Sequence, residues 1–404
     1  MMKQWTNLLA AAGCIIATLT VAAQENNPYI KGREALNKKD YAGAIRIYSE
    51  AIKQKPVDTL YLFLSDAYTR SGGGEEADKK AMEAVNKAIE LNPGYADAFF
   101  HRGGISVARN PQAGFNDYSR AIELNPHYTM AYVMRSWLYV LVGRPDAALI
   151  DANKAVALND KDTAACLNRG MIYASLEQYD AIIEDFTRLI GLYPQSSGCY
   201  KMRGGAYYFK MNYKAALKDF DSAITLNPDE RDVYNNRAAV YYAQKEYGHA
   251  IDDLAKDIAL NPQSDGGYQT RGKVYAELKQ YEPALNDYTR AIALNPGNAR
   301  AWYGRGIVYR ESGKKEESIA DLRKAVSIAP HKHEDYVLRG DSYAALNEYE
   351  PALKDYATAI ELYPKEIKAY ESREKLYRKI GNKEAAEADL QKAKELKAKT
   401  MGGE

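Results

Sequence analysis

No charge of either sign predominates in this chain. Lys plus Arg number 55 and Asp plus Glu 54 across 404 residues, a net charge of +1, so no field draws nucleic acid or an anionic membrane surface. Histidine is scarce. His101, His127, His249, His331 and His333 are scattered, and His331-Lys332-His333 lacks the further ligands that a metal site needs. No nucleophile–base arrangement stands out, and the abundant carboxylates read as solvated surface. No catalytic residue, metal or cofactor is therefore expected. Long apolar runs are missing except for Leu8 to Val21, which is too short for a membrane span. Cysteine is nearly absent, at positions 14, 166 and 199 alone.

Residues 1–23 differ in kind from the rest of the chain. Lys3 gives a positive start, the apolar run comes next, and Val21-Ala22-Ala23 offers small residues for cleavage. That is the layout of a secretory signal peptide cut after Ala23, and it implies a periplasmic or cell-envelope protein. The alternative is lipidation at Cys14, which alone would bring membrane association. Against it, the apolar run continues past Cys14 and no bulky residue stands three places before it.

What the chain has in excess is tyrosine, 34 in all, and the excess is ordered. Prolines at 194, 228, 262, 296, 330 and 364 lie 34 residues apart. Between them recur a tyrosine column (Tyr173, Tyr207, Tyr241, Tyr275, Tyr309, Tyr343, Tyr377) and a glycine column (Gly170, Gly204, Gly272, Gly306, Gly340). Eleven copies run from about residue 25 to about 398, with a short tail after them. Such a period marks a repeat architecture.

Asp265 to Asn298 shows what one copy builds. Tyr268, Gly272 and Tyr275 fall at i, i+4 and i+7, the stripe of a first helix; Tyr281, Ala284, Tyr288 and Ala291 stripe a second. Pro283 suits a first helical turn, and Asn295-Pro296 ends the helix. One such hairpin cannot bury its stripes alone, so neighbours must stack on it. The Ser71 to Glu76 insertion lacks the Lys and Ser/Thr of a phosphate-cradling loop and reads as a turn.

On these columns the chain resembles the tetratricopeptide repeat family. The resemblance implies an all-α fold, a right-handed superhelical solenoid of antiparallel helix pairs, here a single array over residues 24–404. It also implies a concave groove that binds a protein or peptide. One departure is systematic. Arginine precedes the glycine column at 102, 135, 169, 203, 237, 271, 305, 339 and 373, matched by aspartate at 117, 151, 185, 219, 253, 287, 321, 355 and 389. The match suggests ion pairs, within a repeat or between neighbours, rather than a ladder for phosphate. Cys166 and Cys199 lie on the first helices of adjacent repeats, too far apart for an easy bridge, and buried thiols are expected.

Family geometry places the columns of Gln269, Lys273 and Ala276 on the concave face. In repeats two to six those columns and their neighbours are apolar: Leu62, Phe63, Phe100, Val133, Met134, Trp137, Leu167, Met171, Met202, Tyr208 and Phe209, with Asn235 and Asn236 next. Repeats with Lys273, Arg300 and Arg310 are more polar. The apolar stretch suits a peptide-binding groove; the alternative is packing between adjacent first helices. The family's carboxylate clamp is incomplete, for Lys201 and Asn236 fit its columns while Gly205, Gly266 and Thr270 do not. The expected function is a non-catalytic scaffold or adaptor with a protein or peptide partner. The alternatives are an accessory subunit of an envelope enzyme or assembly complex, or a spacer using its outer face.

Overall fold

The computed structural model describes residues 27–230 and 232–402. The signal-peptide segment, its cleavage site and Cys14 lie outside the described residues. Among the described residues all regular structure is helical, in twenty-two helices that form eleven pairs. By internal contacts the chain divides into two compact units, residues 1–185 and 186–404.

In the first unit the pairs are Pro28–Asn37 with Tyr41–Gln54, Asp58–Ser71 with Gly74–Leu91, Ala96–Ser106 with Pro111–Leu124, and Thr129–Leu141 with Pro145–Leu158. The fifth pair is Thr163–Ser175 with Tyr179–Leu192, and the division between the units falls inside its second helix. The second unit continues with Ser197–Phe209 and Tyr213–Leu226, Val233–Ala243 and Tyr247–Leu260, and Asp265–Glu277 and Tyr281–Leu294. Ala299–Glu311 with Lys315–Ser327, His333–Ala345 with Tyr349–Leu362, and Ile367–Lys379 with Lys383–Gly402 complete it. The last helix reaches Gly402, beyond the repeat end expected near residue 398, because nothing in its Lys- and Glu-rich sequence breaks it.

Local chemistry sets each hairpin. The first helix of repeat eight closes at Lys279, which adopts φ +57°. Its N–H donates to the Ala276 carbonyl and that of Gln280 to the Tyr275 carbonyl, both at 2.9 Å. The tyrosine column thus supplies the carbonyl that turns the chain, and Tyr207, Tyr241, Tyr309, Tyr343 and Tyr377 do the same. Gly143, Gly313 and Gly381 take the left-handed position in three repeats. Lysine, glutamate, methionine or asparagine hold it elsewhere, at a cost of about 1 kcal/mol. At the next junction Asn295 Oδ1 accepts the Gly297 N–H at 3.0 Å, and Asn298 caps the following helix through the Ala301 N–H.

Packing then explains the columns. A Cβ on Gly340 would sit 2.6 Å from Tyr356 Cε1, and one on Gly103 would sit 2.8 Å from Tyr118 Cε1. The glycine column is therefore where the aromatic of the second helix lies flat on the first. Ala284 and Ala291 are wholly buried. They cluster with Tyr288 and with Ala301 and Val308 of the next repeat, so each core is shared between successive repeats. A buried aromatic of this kind contributes about 2–3 kcal/mol.

The arginine column forms the expected pairs within each repeat. Arg271 Nε and Nη2 donate to Asp287 Oδ2 and Oδ1, both at 2.8 Å. The same two-bonded fork recurs in all nine repeats from Arg102–Asp117 to Arg373–Asp389. Eight of these aspartates are buried. In several repeats the remaining arginine nitrogen reaches back to the preceding repeat, as in Arg203 to Thr187 and Arg305 to Thr289, each 3.0 Å. Aromatics flank the guanidinium on both sides: Arg237 lies 5.9 Å from the ring centres of Tyr234 and Tyr241. The second repeat does without the pair and has Leu64 and Ala84 at the two columns. Cys166 and Cys199 are buried thiols.

Because Asp287 is left as a buried, unpaired carboxylate, Arg271→Ala is expected to cost about 3 kcal/mol. The double change Arg271→Leu/Asp287→Ala, which copies the second repeat, should recover most of it. Thermal and urea melts of the three proteins decide the matter, and an unchanged Arg271→Ala melt would remove the structural account of the column.

Candidate functional site

The side chains expected to line an apolar groove divide sharply by burial. In the first unit Leu62, Phe100, Val133 and Met134 are no more than 8% exposed. These four are core residues, which corrects the expectation for them. Leu62 joins Val85 and Ala88 of its own second helix and Ala98 of the next repeat, and the Phe100 ring lies 5.5 Å from that of Tyr118 and 5.0 Å from that of Tyr128. Phe63 packs likewise, its ring 5.9 Å from that of Tyr29 and 5.7 Å from that of Tyr48. Trp137 and Leu167 are half-buried, while Met171 is 44% exposed. In the second unit Met202, Asn235 and Asn236 are half-buried. Tyr208 packs on the core around Phe220 and against the ring of Phe209, which itself is 53% exposed.

A concavity lies elsewhere in the second unit, along the first helices of repeats eight to eleven. It encloses about 630 Å³, and Gln269, Lys273 and Ala276 all line it, as the family geometry implies. Tyr303, Ile307, Val337 and Asp341 continue those same columns, and Tyr288, Leu338 and Lys368 complete the inner wall. The columns are legible in sequence, and on this wall they carry Ala276, Ile307 and Val337 beside the charged Lys273 and Asp341.

Electrostatics within the concavity is finely divided. Lys273 Nζ stands 4.4 Å from the ring centre of Tyr242. Loss of water lowers its pKa; Glu277 opposes that shift and Lys368 adds to it. Burial raises the Asp341 carboxyl above its usual range, offset in part by the Tyr356 hydroxyl, Lys368, Ser372 and Lys375. The Tyr356 hydroxyl donates to Asp341 Oδ1 at 2.8 Å. Burial, with Asp341 beside it, pushes Tyr303 up to about 12. At the N-terminal ends of the helices Arg300 pairs with Glu334 at 3.2 Å, and His333 Nδ1 lies 2.7 Å from Glu366. Gly304 admits the Tyr288 ring, because a Cβ there would lie 2.5 Å from its Cζ.

Among the described residues no group of three or more His, Cys, Asp and Glu side chains is placed to hold a metal ion. No described helix is long and apolar enough to cross a membrane. What the fold defines is a stack of helix hairpins with a concavity along the first helices of repeats eight to eleven. The chain belongs to the tetratricopeptide repeat family. Tetratricopeptide repeat models match residues 163–196, 202–265, 299–332, 336–366 and 375–400, and a TPR repeat model matches 272–313. Comparison with curated proteins finds no match. Among solved structures the chain is similar to the APC/C hetero-tetramer Cut9-Hcn1, with TM-score 0.50 and 13% identity over 95% of this chain and 81% of that one. It is also similar to a tetratricopeptide repeat protein from Parabacteroides merdae, with TM-score 0.49 and 20% identity over 61% and 98% of the two chains. Yeast Tom70 gives TM-score 0.49 and 16% identity over 90% and 96%.

Asp341 yields a pH-dependent expectation. Its folded pKa is raised, so its stabilising contribution is present at low pH and is lost as pH rises through the folded value. Asp341→Asn keeps an acceptor for Tyr356 and removes the charge. The variant should melt a few degrees above the parent at pH 7 and level with it at pH 4; a constant difference across that range would contradict the shift.

Proposed function

We propose that this protein is a non-catalytic scaffold of the cell envelope that holds a protein or peptide partner on the first helices of its repeats. The observation that carries this reading is the concavity of repeats eight to eleven. Apolar side chains (Ile307, Val337, Leu338) and charged ones (Lys273, Asp341, Lys368) share one open wall there. An extended chain needs that combination, with pockets for its side chains and polar groups for its backbone. Exposed Met171 and Phe209, each within its own unit, offer further apolar contact. The fold supports the same reading, since Cut9 is seen as a hetero-tetramer with Hcn1. Export rests on the sequence of residues 1–23.

Affinity capture from envelope extract tests the reading, with residues 24–404 as bait beside a Met171→Asp/Phe209→Asp variant and a Lys273→Gln/Lys368→Gln variant. All three should first be shown equally helical. A partner captured by the parent and lost by either variant supports recognition on the first helices and says which stretch is used. A partner held equally by all three overturns it in favour of a spacer that binds through its outer face. Mass analysis of the native protein should give a chain beginning at Gln24, whereas a retained Met1 or an acylated Cys14 would overturn the localisation.

A further inference from the structure

The arginine–aspartate forks begin at Arg102–Asp117 in repeat three, and the two repeats before it are built without them. Repeat one has Lys31 and Ile47 at the two columns, and repeat two has Leu64 and Ala84. The junction between this forkless pair and the rest of the first unit lies where Asp58–Ser71 meets Ala96–Ser106, the first helices of repeats two and three. Its shared core is Leu62, Val85 and Ala88 of repeat two with Ala98 of repeat three. Two arginines of repeat three reach across it, Arg102 to Asn86 at 3.0 Å and the exposed Arg109 to Asp78 at 3.1 Å.

That junction also holds a histidine. His101 stands two residues before the glycine column, where later repeats have Met134, Asn168 and Met202. Its Nε2 is buried and has no hydrogen-bond partner among the described residues. A neutral imidazole leaves one nitrogen as an acceptor, whereas the cation must donate from both. Protonation in the closed junction therefore adds a buried charge and an unmet donor together. The charged groups that act on the ring are Asp66 and Arg70 of the facing helix, which bind each other at 2.8 Å. On its own helix Arg102 is held by Asp117 from the second helix of repeat three. Loss of water and the Arg70 charge outweigh Asp66 and the Ser65 backbone, so the His101 pKa lies below its ordinary value.

We propose that His101 makes this junction an acid-sensitive release, at which repeats one and two come away from repeat three as a unit below neutral pH. Opening gives the ring water and lets it take a proton, so added protons favour the open state. A histidine held neutral in the fold contributes stability that is full above the ordinary histidine range and is lost as pH falls through it. Other histidines are placed differently. His333 has Glu366 at 2.7 Å and His249 has Glu246 at 3.1 Å, so each can charge beside an anion. Release uncovers Leu62, Val85 and Ala88 on one side and Ala98 on the other, an apolar surface hidden at neutral pH.

Amide hydrogen exchange on residues 24–404 at pH 7.5, 6.5 and 5.5, corrected for the intrinsic effect of pH, tests the release. The opening constant of Asp58–Ser71 should rise about tenfold from pH 7.5 to 5.5, the gain from exposing one histidine of ordinary pKa. Tyr41–Gln54 should open with it, while the helices of repeats four and five should not. His101→Met, which copies Met134 and Met202, should flatten the profile; His101→Asn, which copies Asn168, takes its place if the methionine variant does not fold. An opening constant independent of pH, a rise that survives the substitution, a rise spread evenly over all repeats, or no protection of Asp58–Ser71 at pH 7.5 would overturn the inference. The chain is measured alone, so the outcome is separate from that of the capture experiment.

Discussion

A helix hairpin with an apolar stripe on each arm has more apolar surface than its two arms can hide from water, and this constraint governs the molecule. Each core here is completed by the next repeat: Ala301 and Val308 close the cluster around Tyr288, and Ala369 and Leu376 close the one around Tyr356. Contact of this kind is local in sequence, so the stack grows by repetition rather than by distant pairing. The arginine–aspartate forks sit on that arrangement as orienting devices. Their net contribution is small beside burial, since the second repeat stands with Leu64 and Ala84 instead. What the fork adds is direction. It fixes the crossing of two helices and, through its third nitrogen, often the register of one repeat on the one before.

Much of the fold was legible because its determinants are periodic. Helix pairs, the proline-ended turns and the arginine–aspartate match all return at a fixed period, and the structure bears each of them out. The groove was legible only as columns. Sequence cannot say whether an apolar residue in a concave column faces the groove or leans into the seam between helices, because a small rotation of the helix decides it. Val133 and Met134 lean in, whereas Met171 and Phe209 stay exposed. A polar residue in the same columns enters the seam only with a partner, as Asn168 does by donating to Ser136 Oγ at 2.7 Å.

The same reasoning gives meaning to departures from a repeat. Within an array every position comes with internal controls, the equivalent residues of the other copies. Tyr356 with Asp341 shows what the geometry between these two columns accomplishes when a donor meets an acceptor. Tyr288 with Lys273 holds the same two positions in repeat eight, where the Glu277 carboxylate acts on both of them. The two copies therefore differ in which side chain brings the carboxylate, and the concave columns vary in charge while the core beneath them repeats.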